Sequence, residues 1–211
     1  MSAMLIEVCE IFYSLQGESS YAGYPCIFIR LAGCNLNCSY CDTTYSHSAG
    51  KMMPIEEILT EISQYPCDLV EITGGEPMYQ DEEIDDLFSA LHKADYRILL
   101  ETNGSLYLGD VPDYVVKIVD VKTPGSGEAD SFMKWNLKFL TPKDELKFVI
   151  ASPFDYDYAK RFLEEHKPNT TNIHFSPVTT LYPASILAER ILADGLKVRL
   201  HLQLHKIIDL K

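Results

Sequence analysis

The run Cys26-Ile27-Phe28-Ile29-Arg30-Leu31-Ala32-Gly33-Cys34-Asn35-Leu36-Asn37-Cys38-Ser39-Tyr40-Cys41-Asp42 sets a strand-like apolar stretch directly against a loop that holds three cysteines. Outward from it, the chain repeats one unit, a short apolar run followed by a helical pattern. Met53 to Tyr65 carries Ile55, Ile58, Leu59 and Ile62 at helical spacing. Asp68 to Thr73 reads as a buried strand stopped by Gly74-Gly75, and Asp81 to Lys93 as a helix with acids in its first turn, where the helix dipole favours them. Further strands are expected over Tyr96 to Leu100, Val115 to Val121, Leu146 to Ile150, Asn172 to Phe175 and Leu196 to Leu204. Helices are expected over Asp155 to His166 and Ala184 to Ala193, the second capped by Gly195. Such alternation argues for parallel βαβ units. About six strands carry it, too few for an eight-fold barrel. The expected fold is α/β, a partial, open (β/α)6-type TIM barrel, in a single domain over residues 1–211. Its active site should lie at the C-terminal ends of the strands. Polar and glycine-rich segments fall there, after Leu31, Ile72, Leu100, Val121 and Phe175.

Hydrophobic residues make up 46% of the 211 and charged residues 23%, the mix of an ordinary globular protein. No stretch approaches the roughly 18 apolar residues of a membrane span. Met1 to Glu10 carries acids and no basic region, so no secretory signal is read and a cytoplasmic location is expected. Eighteen cations against 31 acids, a net charge of −13, disfavour nucleic acid as a partner. An anionic small substrate would have to be caught by cations placed locally in a pocket. Without an export signal, the six cysteines do not read as a disulfide framework. Cys9, Cys26 and Cys67 lie in apolar surroundings as small core residues.

The spacing Cys34-x3-Cys38-x2-Cys41 can wrap three corners of a cubane iron–sulfur cluster and leave one iron open to a chelating ligand. A structural zinc ion would need a fourth ligand, which His47 is near enough to supply. Cys-x3-Cys-x-aromatic-Cys, with Tyr40 as the aromatic, resembles the signature of the radical S-adenosylmethionine superfamily. Gly74-Gly75-Glu76-Pro77 is similar to that superfamily's motif for the methionine amino group. The resemblance implies a 4Fe-4S cluster on Cys34, Cys38 and Cys41, and S-adenosyl-L-methionine bound by Tyr40, Cys41, Asp42, Gly74, Gly75 and Glu76. Asp120-Val121-Lys122 and Ser176, at later strand ends, match further contacts with it, Lys122 most cleanly.

Glu10 to Glu18, Arg30 four residues before the first cysteine, Asp42-Thr43 and Gln203-Leu204-His205-Lys206 resemble the 7-carboxy-7-deazaguanine synthases over nearly the whole chain. Ser19 stands where glycine is common in that family. The implied reaction converts 6-carboxy-5,6,7,8-tetrahydropterin to 7-carboxy-7-deazaguanine with loss of ammonia, towards queuosine and related deazapurines. Implied substrate contacts are Leu15, Gln16, Gly17, Glu18, Arg30, Thr73, His205 and Lys211. Thr43 is implied as a ligand of Mg²⁺, a hard cation that one hydroxyl, substrate oxygens and waters satisfy. No side chain is assigned as a catalytic acid or base. A flavodoxin or ferredoxin reductant and a homodimer are further family expectations. Two rivals share the cysteine loop, a glycyl-radical-enzyme activating protein and a non-catalytic zinc-binding module.

Overall fold

In the computed structural model, residues 5–48 and 50–210 are described. The chain opens with an antiparallel pair, β1 (Leu5–Leu15) and β2 (Pro25–Leu31), with a register shift between Val8 and Glu10. The connection closes through Gln16 N–H to the Tyr24 carbonyl and Gly23 N–H to the Gln16 carbonyl, both at 2.8 Å. Within it, Ser19 adopts φ 62, the left-handed conformation that explains the preference for glycine there. A short edge strand, β3 (Lys51–Pro54), pairs antiparallel with β1.

From β2 onward every pairing is parallel, through β4 (Leu69–Gly74), β5 (Arg97–Thr102), β6 (Val115–Asp120), β7 (Glu145–Ile150), β8 (Asn172–Pro177) and the two-residue β9 (Arg199–Leu200). The sheet order is β3-β1-β2-β4-β5-β6-β7-β8-β9, with β3 and β9 as its edges, so the barrel stays open. Helices α1 (Ile55–Ile62), α2 (Asp81–Lys93), α3 (Pro153–His166) and α4 (Ala184–Asp194) follow the strands, and a one-turn α5 (Leu204–Ile208) comes last. Helices α1 to α4 each bury a stripe at helical spacing, such as Ile84, Leu87, Phe88 and Leu91 on α2. Ser152 caps α3 by accepting from Asp155 N–H at 3.3 Å, and Gly195 ends α4 at φ 60. The β5–β6 and β6–β7 crossovers hold only turns and 3-10 segments.

Strand periodicity sorts the side chains. Ile27, Ile29 and Leu31, Val70 and Ile72, Leu146, Phe148 and Ile150 join the large core shared with the helices. The alternate residues Cys26, Phe28, Leu69, Leu99 and Ile118 form a second, smaller core that fills the bottom of the concave side. One step further along the same rows stand Arg30, Glu71, Glu101 and Asp120, with Thr73 and Ser176 at the ends of β4 and β8, so the concave face turns polar at the C-terminal ends. The expected last strand over Leu196 to Leu204 is shortened to Arg199–Leu200. His201 N–H still bonds the Phe175 carbonyl of β8, and Leu204 N–H turns away to the Gly17 carbonyl, both at 2.9 Å.

Candidate active site

The polar end of the concave face is a cavity of about 390 Å³. The loop after β2 forms one wall and is laced to its neighbours. Gly33 N–H bonds the Ser46 carbonyl at 2.8 Å, Ser39 Oγ–H the Gly125 carbonyl at 2.7 Å, and Asn35 Nδ2–H the Ser105 hydroxyl at 2.8 Å. Asn37 N–H donates to Glu128 Oε1 at 2.9 Å. Gly75 fits against this loop only because it lacks a side chain, since a Cβ there would stand 2.1 Å from the Gly33 carbonyl oxygen and 2.7 Å from Cys34 Cβ.

Cys34, Cys38 and Cys41 are free, half-buried and all on the cavity wall. Burial pushes the Cys34 and Cys38 thiols up, and the Lys122 ammonium works against it at both. Ligation requires thiolates, so loading the site releases protons. His47 Nε2 lies 3.9 Å from Cys41 Sγ, yet among the described residues no three His, Cys, Asp or Glu converge on a single ion. Thiolates on one zinc sit about 3.8 Å apart, and a cubane spreads them further. Two buried oxygens with no protein partner, Asp120 Oδ1 and Ser176 Oγ, lie on the same wall. Three thiols with unpartnered acceptors beside them suit a cluster with a polar chelating ligand.

Of the other residues singled out in the sequence, Leu15, Gln16, Gly17, Glu18 and Arg30 line the cavity. So do Tyr40, Asp42, Thr43, Thr73 and Gly74, and, across the mouth, Lys122 and His205. Arg30 gives its Nε–H to Glu10 at 2.9 Å and lies over the Phe12 and Tyr45 rings. Thr43 Oγ1 is 3.7 Å from Cys41 Sγ. His205 packs so closely on Gly17 that a Cβ there would meet its Nδ1 at 2.0 Å. Lys206 ties that segment to Asp42 at 2.6 Å.

Two residues stand elsewhere. The Glu76 carboxylate is fully buried off the wall and accepts from Met78 N–H at 3.0 Å, Thr102 Oγ–H at 2.7 Å and Asn103 N–H at 2.6 Å. It locks the glycine turn to the end of β5. Burial raises its pKa and these donors oppose the rise. Val121 is buried and gives its N–H to the Lys147 carbonyl at 2.8 Å. Lys211 lies outside the described residues.

Sequence reasoning passed over a charged knot at the cavity floor. Lys147 Nζ is 2.9 Å from Glu18 Oε2, bonds Glu101 Oε1, and lies 3.8 Å from Asp120 Oδ2. Gln203 Nε2–H donates to Glu18 Oε1 at 2.7 Å. Gln16 Nε2–H donates to Glu71, while Gln16 Oε1 accepts the Glu18 N–H at 3.0 Å. Gln16 thus shapes the Glu18 backbone. Burial pushes Glu18 up, but Lys147, Gln203 and His201 outweigh it and bring it down to about 2. Glu71 goes the other way, raised by burial and by the charges of Glu101 and Glu18. The available signal was a charge at every second position of otherwise apolar strands, as in Glu145-Leu146-Lys147-Phe148-Val149.

An open parallel barrel with a three-cysteine loop at its mouth defines a radical S-adenosylmethionine enzyme, and residues 28–123 match the model of the Radical SAM superfamily. The family therefore implies a 4Fe-4S cluster and S-adenosylmethionine. Within the superfamily, the chain belongs to the 7-carboxy-7-deazaguanine synthases. It is 44% identical to such a synthase of Koribacter versatilis, covering 96% of both chains. It is 43% identical to one of Chlorobaculum tepidum, over 96% of this chain and 94% of that one. The crystal structure of QueE from Escherichia coli superposes with a TM-score of 0.75 at 24% identity, over 96% of this chain and 95% of that one, and shows the shared fold. No helix among the described residues is long and apolar enough to cross a membrane.

Proposed function

We propose that the chain converts 6-carboxy-5,6,7,8-tetrahydropterin to 7-carboxy-7-deazaguanine with loss of ammonia, in the biosynthesis of queuosine and related deazapurines. The observation that carries the reading is one cavity lined at once by the three thiols of the cysteine loop, by Glu18, by Arg30 and by His205. Neither a glycyl-radical-enzyme activating protein nor a zinc-binding module is favoured by the relatives. Cys34, Cys38 and Cys41 would hold the cluster, which together with adenosylmethionine would supply the one-electron chemistry for removing hydrogen from substrate.

The residues of this chain bind and orient. Glu18 presents an ionised carboxylate to the adjacent N–H donors of a pterin edge, the bidentate geometry a carboxylate accepts best. Arg30, its Nε–H already fixed by Glu10, offers its guanidinium to the substrate carboxylate. Asp120 Oδ1 and Ser176 Oγ give adenosylmethionine two acceptors that lack a protein partner. Tyr40, Asp42, Gly74, Gly75 and Lys122 complete that side of the wall. Leu15, Gly17, Thr73 and His205 pack around the pterin ring and keep water from the reacting C–H bond. Thr43 would be the protein ligand of Mg²⁺, a hard cation that a hydroxyl, substrate oxygens and waters satisfy.

We further assign the chain one domain, a cytoplasmic location, a homodimeric assembly and a flavodoxin or ferredoxin as electron donor. The test is an anaerobic assay with the carboxytetrahydropterin, adenosylmethionine, dithionite and Mg²⁺, with 7-carboxy-7-deazaguanine followed by mass. Formation of the deazaguanine without any protein substrate supports the reading. An iron-loaded enzyme that leaves the pterin unchanged ends it.

A further inference from the structure

Lys147 stands on the concave face of β7, 6% exposed, and the binding roles above leave it unused. Its ammonium touches carboxylates from three other parts of the chain: Glu18 after β1, Glu101 on β5 and Asp120 on β6. An ammonium buried among carboxylates is held rigidly, because moving it would strand a charge away from water. Glu18 is consequently gripped at both oxygens, Oε2 by Lys147 and Oε1 by Gln203. Each carboxylate oxygen keeps acceptor capacity beyond one such bond, so the grip fixes the plane without using up the group.

We infer that Lys147 is a positioning residue for substrate recognition: it clamps the Glu18 carboxylate as the acceptor for the paired N–H donors of a pterin edge, and thereby sets how tightly pterins bind and over what pH range. The inference rests on the assignment of Glu18 to substrate. Acidic groups crowd this region, with Glu71 from β4, Glu101 from β5, Asp120 from β6 and Asp42 from the cysteine loop. The cations are Lys147 itself, Lys122 beside Asp120, Arg30 on β2, Lys206 on Asp42, and His201 after β9 when protonated, with Glu145 and His174 behind His201. Without Lys147, Glu18 keeps its burial and its acidic neighbour Glu71 but loses the ammonium that opposes them. The carboxyl then takes up a proton at a higher pH, and a protonated carboxyl no longer accepts from two N–H donors.

The test is anaerobic equilibrium dialysis of 6-carboxytetrahydropterin against the cluster-loaded enzyme, without reductant, from pH 5.5 to 8.5. Wild-type affinity should be level across this range. Lys147→Met should lose pterin affinity at pH 6 and regain it as the pH rises. Adenosylmethionine affinity should stay within about twofold, and Lys147→Arg should restore most of the pterin affinity. Lys147→Gln, which is smaller and neutral, gives the same reading should the methionine variant fail to fold. Pterin affinity unchanged in the neutral variants overturns the inference, as does an equal, pH-independent loss of pterin and adenosylmethionine binding. Wild-type enzyme that does not bind the pterin overturns the functional reading, and this one with it. Wild type that binds beside an unaffected K147M removes the clamp alone.

Discussion

Gly75→Ala is the smallest change that tests whether the glycine turn and the cysteine loop are one unit. The added Cβ would stand 2.1 Å from the Gly33 carbonyl oxygen and 2.7 Å from Cys34 Cβ, where non-bonded contacts settle at about 3.5 Å. Both obstacles resist: one is backbone, and the other is the first carbon of a proposed cluster ligand. Gly33 also accepts the Glu76 N–H at 2.9 Å, and Glu76 is itself held by three donors, so the turn has little freedom to retreat. The cysteine loop must therefore give way by about 1 Å. Overpacking of this kind costs about 1–3 kcal/mol, and a 1 Å displacement of a reacting group costs about a hundredfold in rate. After anaerobic reconstitution, the variant should fold with a denaturation midpoint below wild type. It should bind less iron and sulfide per chain and adenosylmethionine more weakly, and turn over about a hundredfold more slowly. Full iron content with wild-type adenosylmethionine affinity and turnover within twofold would refute the reasoning.

Glu76→Ala removes a buried acceptor of three hydrogen bonds and strands the Asn103 N–H. Urea denaturation should show a loss of about 3 kcal/mol or more, larger than for any surface acid. His201 is largely buried, and burial lowers its pKa from 6.5 to about 4, with Glu18 opposing the shift. The unfolded chain thus binds more protons than the folded one between these values, and stability should fall as the pH drops from about 6.5 towards 4. His201→Gln should flatten that part of a denaturation-midpoint profile, and an unchanged slope would remove His201 as its source. Thr43→Ala should abolish the stimulation of turnover by Mg²⁺ while leaving iron content intact, and a variant that still responds to Mg²⁺ would exclude Thr43 as its ligand.

The parallel strands were legible because each is a short apolar run between turn residues, and the helices because their buried residues recur at helical spacing. β1 is not legible as a strand, since most of Leu5–Leu15 is only partly buried and the run mixes charges with apolar residues. Leu196 to Leu204 failed in the opposite sense. It is apolar enough for a strand, but after His201 its hydrogen-bonding partner becomes the Gln16-Gly17-Glu18 turn, a contact some 185 residues away in sequence. The site divides along the same line. Cysteine spacing and Gly-Gly-Glu-Pro are local, and the loop they form is where they implied it. Glu76 shows the limit of a motif: its residue type was legible, but the direction of its carboxylate, into β5 and away from the cavity, depends on Thr102 and Asn103. The charged knot was hidden for a physical reason. Glu18, Glu71, Glu101, Asp120 and Lys147 come from five separate segments, and only the parallel register that sets Asp120 beside Lys147 makes neighbours of them. A charge in a buried strand is costly alone and tolerable in company. Charges alternating with apolar residues in several consecutive parallel strands therefore imply that their partners lie across the barrel, and such a pattern marks the inner face before any fold is known.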